Sequence, residues 1–291
     1  MTPFVFGVEE GAVLTGVIVG YVTKAQNAIK QFVTRRAIIV GGALLDEHIT
    51  DEALAALLSV TRHELSRKAI YIEFRNLHDY SRWRDVFAAQ GFDYLPHLNY
   101  QVDCSSDMPT IMARMVRSRR WQIRKGIANG AQIVEAQSDD DVQAYYAILR
   151  DLYGHKLRRP LPSIDFFMHL YHSDNAKFLL VRYREMIIGG VVCPVLAHRA
   201  IYEWYICGLD TQYRQQYPSV LATYAVIEYA AQHNIPLFDF MGAGQPDMYY
   251  GVRTFKSRFG GTEVEYGRFL YVCTPYLYRL AKWVVRRLDS I

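Results

Sequence analysis

The feature that most limits how this chain can fold is a repeat of its own grammar, 173 positions apart. Phe4 to Val19 reads as an apolar strand, a turn carrying Glu9, Glu10 and Gly11, and a second apolar strand. Phe178 to Val192 repeats it, with Arg184 and Glu185 in the turn. In both copies a valine of the first strand and a glycine of the second lie eight positions apart, Val8 to Gly16 and Val181 to Gly189. Hairpins are common, so the elements after each hairpin carry more weight. Arg36 to Val40 and Ala200 to Cys207 are β-rich. Residues 51–67 then place Leu54, Leu57, Leu58, Thr61 and Leu65 on one helical face, and residues 219–233 do so with Val220, Leu221, Tyr224, Ile227 and Ala231. Short apolar strands close each copy, Ala69 to Phe74 and Pro236 to Met241. The same five-element order occurring twice predicts two α/β units related by duplication.

Between the copies, the pattern predicts a helix at 79–90, a strand at 98–103, a continuous basic helix at 107–128, and helices at 138–153 and 163–172. The expected division is a first unit over residues 1–104, a second over 105–274, and an amphipathic basic helix over 275–291. No Gly/Ser or Pro linker separates the halves.

Composition excludes several classes. Four cysteines lie far apart without a CxxC pair, and nine histidines show no ligand spacing, so no metal site is expected. No run of about 18 uncharged apolar residues is long enough to span a bilayer. Glu9 and Glu10 precede any long apolar run, unlike a secretory leader, and the expected location is cytoplasmic. There is no GxSxG elbow, no GxxxxGK[ST] loop and no GxGxxG after a first strand, which argues against serine hydrolases, P-loop NTPases and nucleotide-linked dehydrogenases.

Three stretches carry candidate chemistry. In the first, Arg114, Arg117, Arg119, Arg120, Arg124 and Lys125 surround Trp121 and Ile123; on a helix Arg117, Arg120 and Arg124 share one stripe. Such a stripe is either a solvated face or a seat for phosphates of a nucleotide-linked precursor, a tRNA acceptor stem or a lipid. In the second, the strand Phe238-Asp239-Phe240 runs into Gly242-Ala243-Gly244, where absent side chains let backbone amides approach a ligand. Beyond the turn, Arg253 and Lys256 share one helical face and Phe255 and Phe259 another, with Arg258 close by. A cation at a strand's carboxyl end can neutralise an oxyanion or a phosphate. In the third, alternation along Ile201 to Gly208 puts Tyr202 and Trp204 on one sheet face and Glu203 and Tyr205 on the other. Glu203 is either a paired structural charge or a proton acceptor with a raised pKa. Asp239 is either a base or an orienting partner of Arg253 or Lys256.

The Phe238–Gly261 run, FDFMGAG followed by GVRTFKSRFGG, resembles the closing motif of the Fem-type peptidoglycan bridge transferases. The SRRWQIRKG run at Ser118–Gly126 resembles that family's basic helix, and the two-unit plan resembles its twin GNAT-like acyltransferase domains. The resemblance implies transfer of an acyl or aminoacyl group to an amine without a covalent enzyme intermediate. The donor it implies is aminoacyl-tRNA, or acyl-CoA in the wider superfamily, with no tightly bound cofactor. The acceptor it implies is a peptidoglycan precursor or another amine. It further implies that Lys256, in the matching Phe255-Lys256 pair, lies near the transferring carbonyl, with Tyr202 and Tyr205 lining the cleft. This chain lacks the family's coiled-coil arm. Where GNAT enzymes cradle the coenzyme A pyrophosphate with a glycine-containing loop, it reads Gln212 to Ser219 without glycine, which puts coenzyme A binding in doubt. The tail from Pro275 carries Arg279, Lys282, Arg286 and Arg287 against Leu277, Leu280, Trp283, Val284 and Leu288, an arrangement for packing on the body or lying on an anionic membrane.

Overall fold

The structure is a computed structural model that describes residues 1–23 and 35–288. It contains two α/β units, each with a mixed sheet and flanking helices. The first comprises Met1–Leu98 with Glu265–Ile291, the second Asn99–Val264. The boundary expected after residue 104 therefore falls earlier, and the chain returns to the first unit before its end. Strand pairing is the cause. Leu98–Asp103 bonds to Leu237–Asp239 in the second sheet, while Arg268–Val272 inserts between Tyr71–Asn76 and Asp93–Leu95 in the first. Residues 289–291 of the expected terminal helix lie outside the described residues.

The duplication is borne out at the level of register. Val8 faces Gly16 across the first hairpin and Val181 faces Gly189 across the second, and each ladder is bulged nearby. Each unit then pairs a strand in parallel with the strand beyond the crossover helix. Arg36–Gly41 lies beside Tyr71–Asn76, and Ala200–Tyr202 beside Leu237–Asp239. A parallel pair needs such a crossover, so the repeated strand–helix–strand order is what the shared topology requires.

In the first unit, helix Asp51–Ser66 begins at a Thr50 cap whose hydroxyl accepts from Ala53 N–H (3.2 Å), with Asp51 and Glu52 in its first turn. It buries Leu54, Leu57, Leu58, Thr61 and Leu65, the face the periodicity indicates, against Ile18, Ile39, Ile72 and Phe74. In the second unit, helix Pro218–Gln232 is buried on all sides over most of its length, so its sequence is apolar throughout and not striped. The expected single basic helix is two, Met108–Arg114 and Arg117–Ala128, because Met115 and Val116 adopt extended backbone between them.

The first unit also holds a charge cluster that gives a testable pH dependence. Glu73 lies within 2.7 Å of Arg268 and 2.9 Å of Arg75. Burial tends to raise its pKa, but the two guanidiniums outweigh that and hold it below the usual carboxylate value. A lowered folded-state pKa adds stability above the unfolded value that is lost as pH falls through the folded one. Glu73→Gln is expected to lower unfolding stability at neutral pH by about 2 kcal/mol, less than a fully buried pair because Arg75 is partly solvated. The gap between variant and parent should close below about pH 4 in urea titrations.

Candidate active site

The site is built where two neighbouring strands of the second sheet part company. Ala200–Tyr202 runs parallel to Leu237–Asp239, and Glu203 N–H still donates to Asp239 O (3.0 Å). Beyond that point Tyr205–Gly208 pairs with Met186–Leu196 alone, while the other strand ends and turns away at 240–244. Leu209 N–H donates to Ile188 O, so alternation along the antiparallel ladder turns the Ile206 and Gly208 amides to the opposite, open edge. Backbone donors along an open edge can receive a carbonyl oxygen as it gains charge.

Glu203 and Trp204 leave the ladder at the divergence, and this break overturns the expected alternation. The Glu203 carboxylate accepts from Thr223 Oγ1 (3.2 Å) on helix Pro218–Gln232. Tyr205 turns to the other side, with its ring 5.2 Å from that of Phe167, and Trp204 stacks on Phe166. An irregular residue shifts the phase of every side chain after it. Tyr205 is thus a member of an aromatic cluster, and its carbonyl accepts from Tyr145 Oη (2.6 Å). Tyr202 is half-buried, its phenol raised by burial and secondarily by Asp239.

Lys256 points inward. Its ammonium donates to Phe240 O (2.5 Å) and Gly242 O (2.9 Å) and lies 3.5 Å from Glu203 Oε1. Three hydrogens meet three protein oxygens, and the side chain is 10% exposed. Burial pushes the Glu203 carboxyl up, while Lys256 and Thr223 pull it back. Asp239, fully buried, accepts from Asn99 Nδ2 (2.8 Å), Gln101 Nε2 (2.9 Å) and Met241 N–H (2.7 Å). Asn99 Oδ1 in turn accepts from Gly242 N–H at 2.7 Å. Asp239 therefore orders the turn and does not pair with Arg253 or Lys256, the partners its position in the sequence suggests. Arg253 instead clamps the turn from outside, donating to the carbonyls of Ala243, Gln245 and Pro246. Gly244 is needed there: its φ is +82°, and a Cβ would stand 2.9 Å from the Tyr250 ring.

The basic helix divides its arginines between two faces. Arg117 and Arg124 are exposed, and Arg120 donates to Ala113 O. Arg119 is 3% exposed, donates to Phe255 O (3.0 Å), and lies 4.5 and 4.3 Å from the ring centroids of Phe255 and Phe259. Its pKa is pushed down to about 10 by burial and then by Arg258, which is itself exposed. The sequence places Arg119 in the basic cluster but gives no sign of its burial beneath the Lys256 helix. Nor does it single out Asn99, Gln101 and Thr223; only contacts distant in sequence reveal them.

The start of helix Pro218–Gln232 is occupied from within. Asp210 accepts from Ser219 N–H (3.1 Å) and from the Ser219 hydroxyl. A Cβ at Gly208 would stand 2.6 Å from Ser219 N, so strand and helix start are in close contact.

Among the described residues no cluster of His, Cys, Asp and Glu could hold a metal ion, and no helix is long and apolar enough to cross a membrane. Residues 115–256 match the acetyltransferase (GNAT) domain family. The fold is that of FemX, at 14% identity and a TM-score of 0.71 over 96% of this chain and 90% of that one. It is also that of the C-terminal (DUF2156) domain assigned to a lysylphosphatidylglycerol synthetase from Agrobacterium fabrum, at 12% identity and 0.64 over 97% and 88%. A tandem GNAT protein from the clavulanic acid biosynthesis pathway aligns at 10% identity and 0.52 over 94% and 84%. No curated protein matches the chain.

Proposed function

We propose, taking the match of residues 115–256 to the acetyltransferase (GNAT) domain family as the premise, that the protein moves an aminoacyl group from an ester donor carried on tRNA to an amine of a peptidoglycan precursor. The observation that carries the choice of donor is Asp210. A helix start is an anion site because its amides are unsatisfied, and GNAT enzymes use this one for the coenzyme A pyrophosphate. Here a carboxylate already accepts from Ser219 N–H and the Ser219 hydroxyl. A pyrophosphate arriving there would meet like charge in place of free donors.

In this reading the ester carbonyl lies in the split between Tyr205–Gly208 and the 240–244 turn. The Ile206 and Gly208 amides face the developing oxyanion, each worth on the order of 3 kcal/mol of barrier. The acceptor nitrogen forms the amide bond, the ester C–O bond breaks, and the proton from nitrogen ends on the departing ribose hydroxyl. Glu203 and Asp239 are committed to internal donors, so water or the substrates relay that proton. Lys256 acts by position: it holds the Phe240 and Gly242 carbonyls and so shapes the wall of the split.

The acceptor has a second reading, a lipid amine or hydroxyl at an anionic membrane. Tyr276, Leu280 and Trp283 form an exposed apolar stripe on the terminal helix, with Arg279 and Lys282 beside it. The name of the lysylphosphatidylglycerol synthetase domain, whose fold this chain shares, supports the lipid reading.

The test sets charged tRNA and acetyl-CoA as donors against a soluble peptidoglycan precursor and phosphatidylglycerol vesicles as acceptors. Product from charged tRNA with the precursor, and no calorimetric binding of acetyl-CoA, is the expected result. Turnover with acetyl-CoA would overturn the donor assignment, and product on vesicles alone would move the acceptor to the lipid.

A further inference from the structure

The basic stripe borders a groove of about 730 Å³ in the second unit. Met108, Pro109 and Met112 supply an apolar floor, and Arg117, Arg120, Trp121 and Arg124 stand along the other wall. No acidic residue lines it. Arg120 donates to a backbone carbonyl, and neither Arg117 nor Arg124 makes a hydrogen bond or ion pair with another described residue. Trp121 is 56% exposed, an unusual state for an indole beside three guanidiniums. Its ring meets that of Tyr217 edge-on at 5.9 Å, next to the start of helix Pro218–Gln232. The opposite face of the same helix holds Arg119 against Phe255, one residue from Lys256. One rigid element thus carries unpaired cations on its outer side and a wall of the candidate site on its inner side.

We propose that this groove seats the single-stranded 3′ end of an RNA, with its phosphodiester backbone along Arg117, Arg120 and Arg124 and a base stacked on Trp121. The inference rests on the tRNA-ester reading above and assigns that donor's nucleic-acid part to a place. Charge and shape favour RNA over a lipid headgroup. The stripe runs over eight residues of helix and about 10 Å, the reach of two or three successive phosphates and not of one. A π-face set among cations is the arrangement by which proteins hold single strands without reading their sequence. With Asp210 at the helix start, a phosphate-bearing donor needs another seat for its charge, and this groove supplies one.

The experiment is fluorescence anisotropy with a labelled, uncharged single-stranded oligoribonucleotide ending in CCA, titrated over a salt series. In the parent protein, affinity should fall linearly with salt on logarithmic axes. The Arg117→Ala/Arg124→Ala double variant should lower that slope by about 1.4, at about 0.7 for each phosphate of a single strand that is no longer neutralised. Trp121→Ala should weaken binding by about tenfold at fixed salt and leave the slope alone. These side chains are exposed, and thermal unfolding checks that each variant folds. Parent-like affinity and slope in both variants would overturn the proposal. So would absent RNA binding alongside vesicle binding that these substitutions remove, which would make the occupant a lipid. Because the probe carries no aminoacyl group, groove-dependent RNA binding without product from charged tRNA would sink the proposed reaction and leave the groove assignment standing.

Discussion

Lys256→Ala is expected to abolish transfer and to lower unfolding stability by about 3–5 kcal/mol, because it leaves a buried carboxylate without its cation. Glu203 would remain at 3% side-chain exposure with Thr223 as its partner, and the Phe240 and Gly242 carbonyls would lose a donor. The loss should depend on pH in a defined direction. Burial already raises the Glu203 carboxyl against the pull of Lys256. Without the ammonium it rises further, so the folded variant retains a proton that the unfolded chain releases near pH 4.3. A group that binds protons more tightly when folded destabilises as pH rises. The deficit of Lys256→Ala should therefore widen as pH rises above the unfolded carboxyl value, read from urea midpoints at each pH. Adding Glu203→Gln should recover much of the stability and flatten the pH dependence, while transfer stays absent. Transfer at parental rate in the single variant would remove Lys256 from the site.

The second large effect is expected at Asp239. Its carboxylate satisfies Asn99 Nδ2, Gln101 Nε2 and Met241 N–H in a fully buried position. Asp239→Ala leaves all three donors without an acceptor and should cost about 4 kcal/mol, since each unsatisfied buried group costs about 1–3 kcal/mol and the three are not independent. The turn at 241–244 loses its anchor at Met241 N–H and keeps the Asn99 amide oxygen on Gly242 N–H and the Lys256 and Arg253 contacts to its carbonyls. Hydrogen exchange at Met241 and Gly242 should accelerate well before global unfolding. Gln101→Ala, which removes a single donor, should cost only about 1 kcal/mol and preserve turnover. If Asp239 were a proton acceptor and not an anchor, Asp239→Asn would abolish transfer with protection at the turn unchanged.

Both predictions concern residues that stand out in the chain as letters, yet their roles could not be read there. The Gly-Ala-Gly turn, the lysine beyond it and the glutamate in an aromatic strand are conspicuous locally. The groups that engage them come from elsewhere: Asn99 is 140 positions from Asp239, and Thr223 is 20 from Glu203. Arg119 shows the same limit from the other side. A guanidinium among five other cationic residues reads as solvent-facing, and only the packing of the Phe255–Phe259 segment over it makes burial tolerable. The Asp210–Ser219 contact spans nine positions and was nearer to reach, but an acid before a helix start does not reveal whether it bends back onto it.

The hairpins, the apolar face of Asp51–Ser66, the strand–helix–strand order and the duplication that joins them were all present in the order of residues. Each rests on a periodicity of two or 3.6 that any stretch of chain expresses locally. The unit boundary, the break at Met115–Val116, the phase shift after Glu203 and the inward aim of Lys256 were not. Each is settled by which distant strand or side chain satisfies a backbone or charged group once water is excluded. Arg268–Val272 joins the first sheet because its edge bonds are completed there. Local order says which face of a segment seeks burial, and long-range pairing says what will cover it.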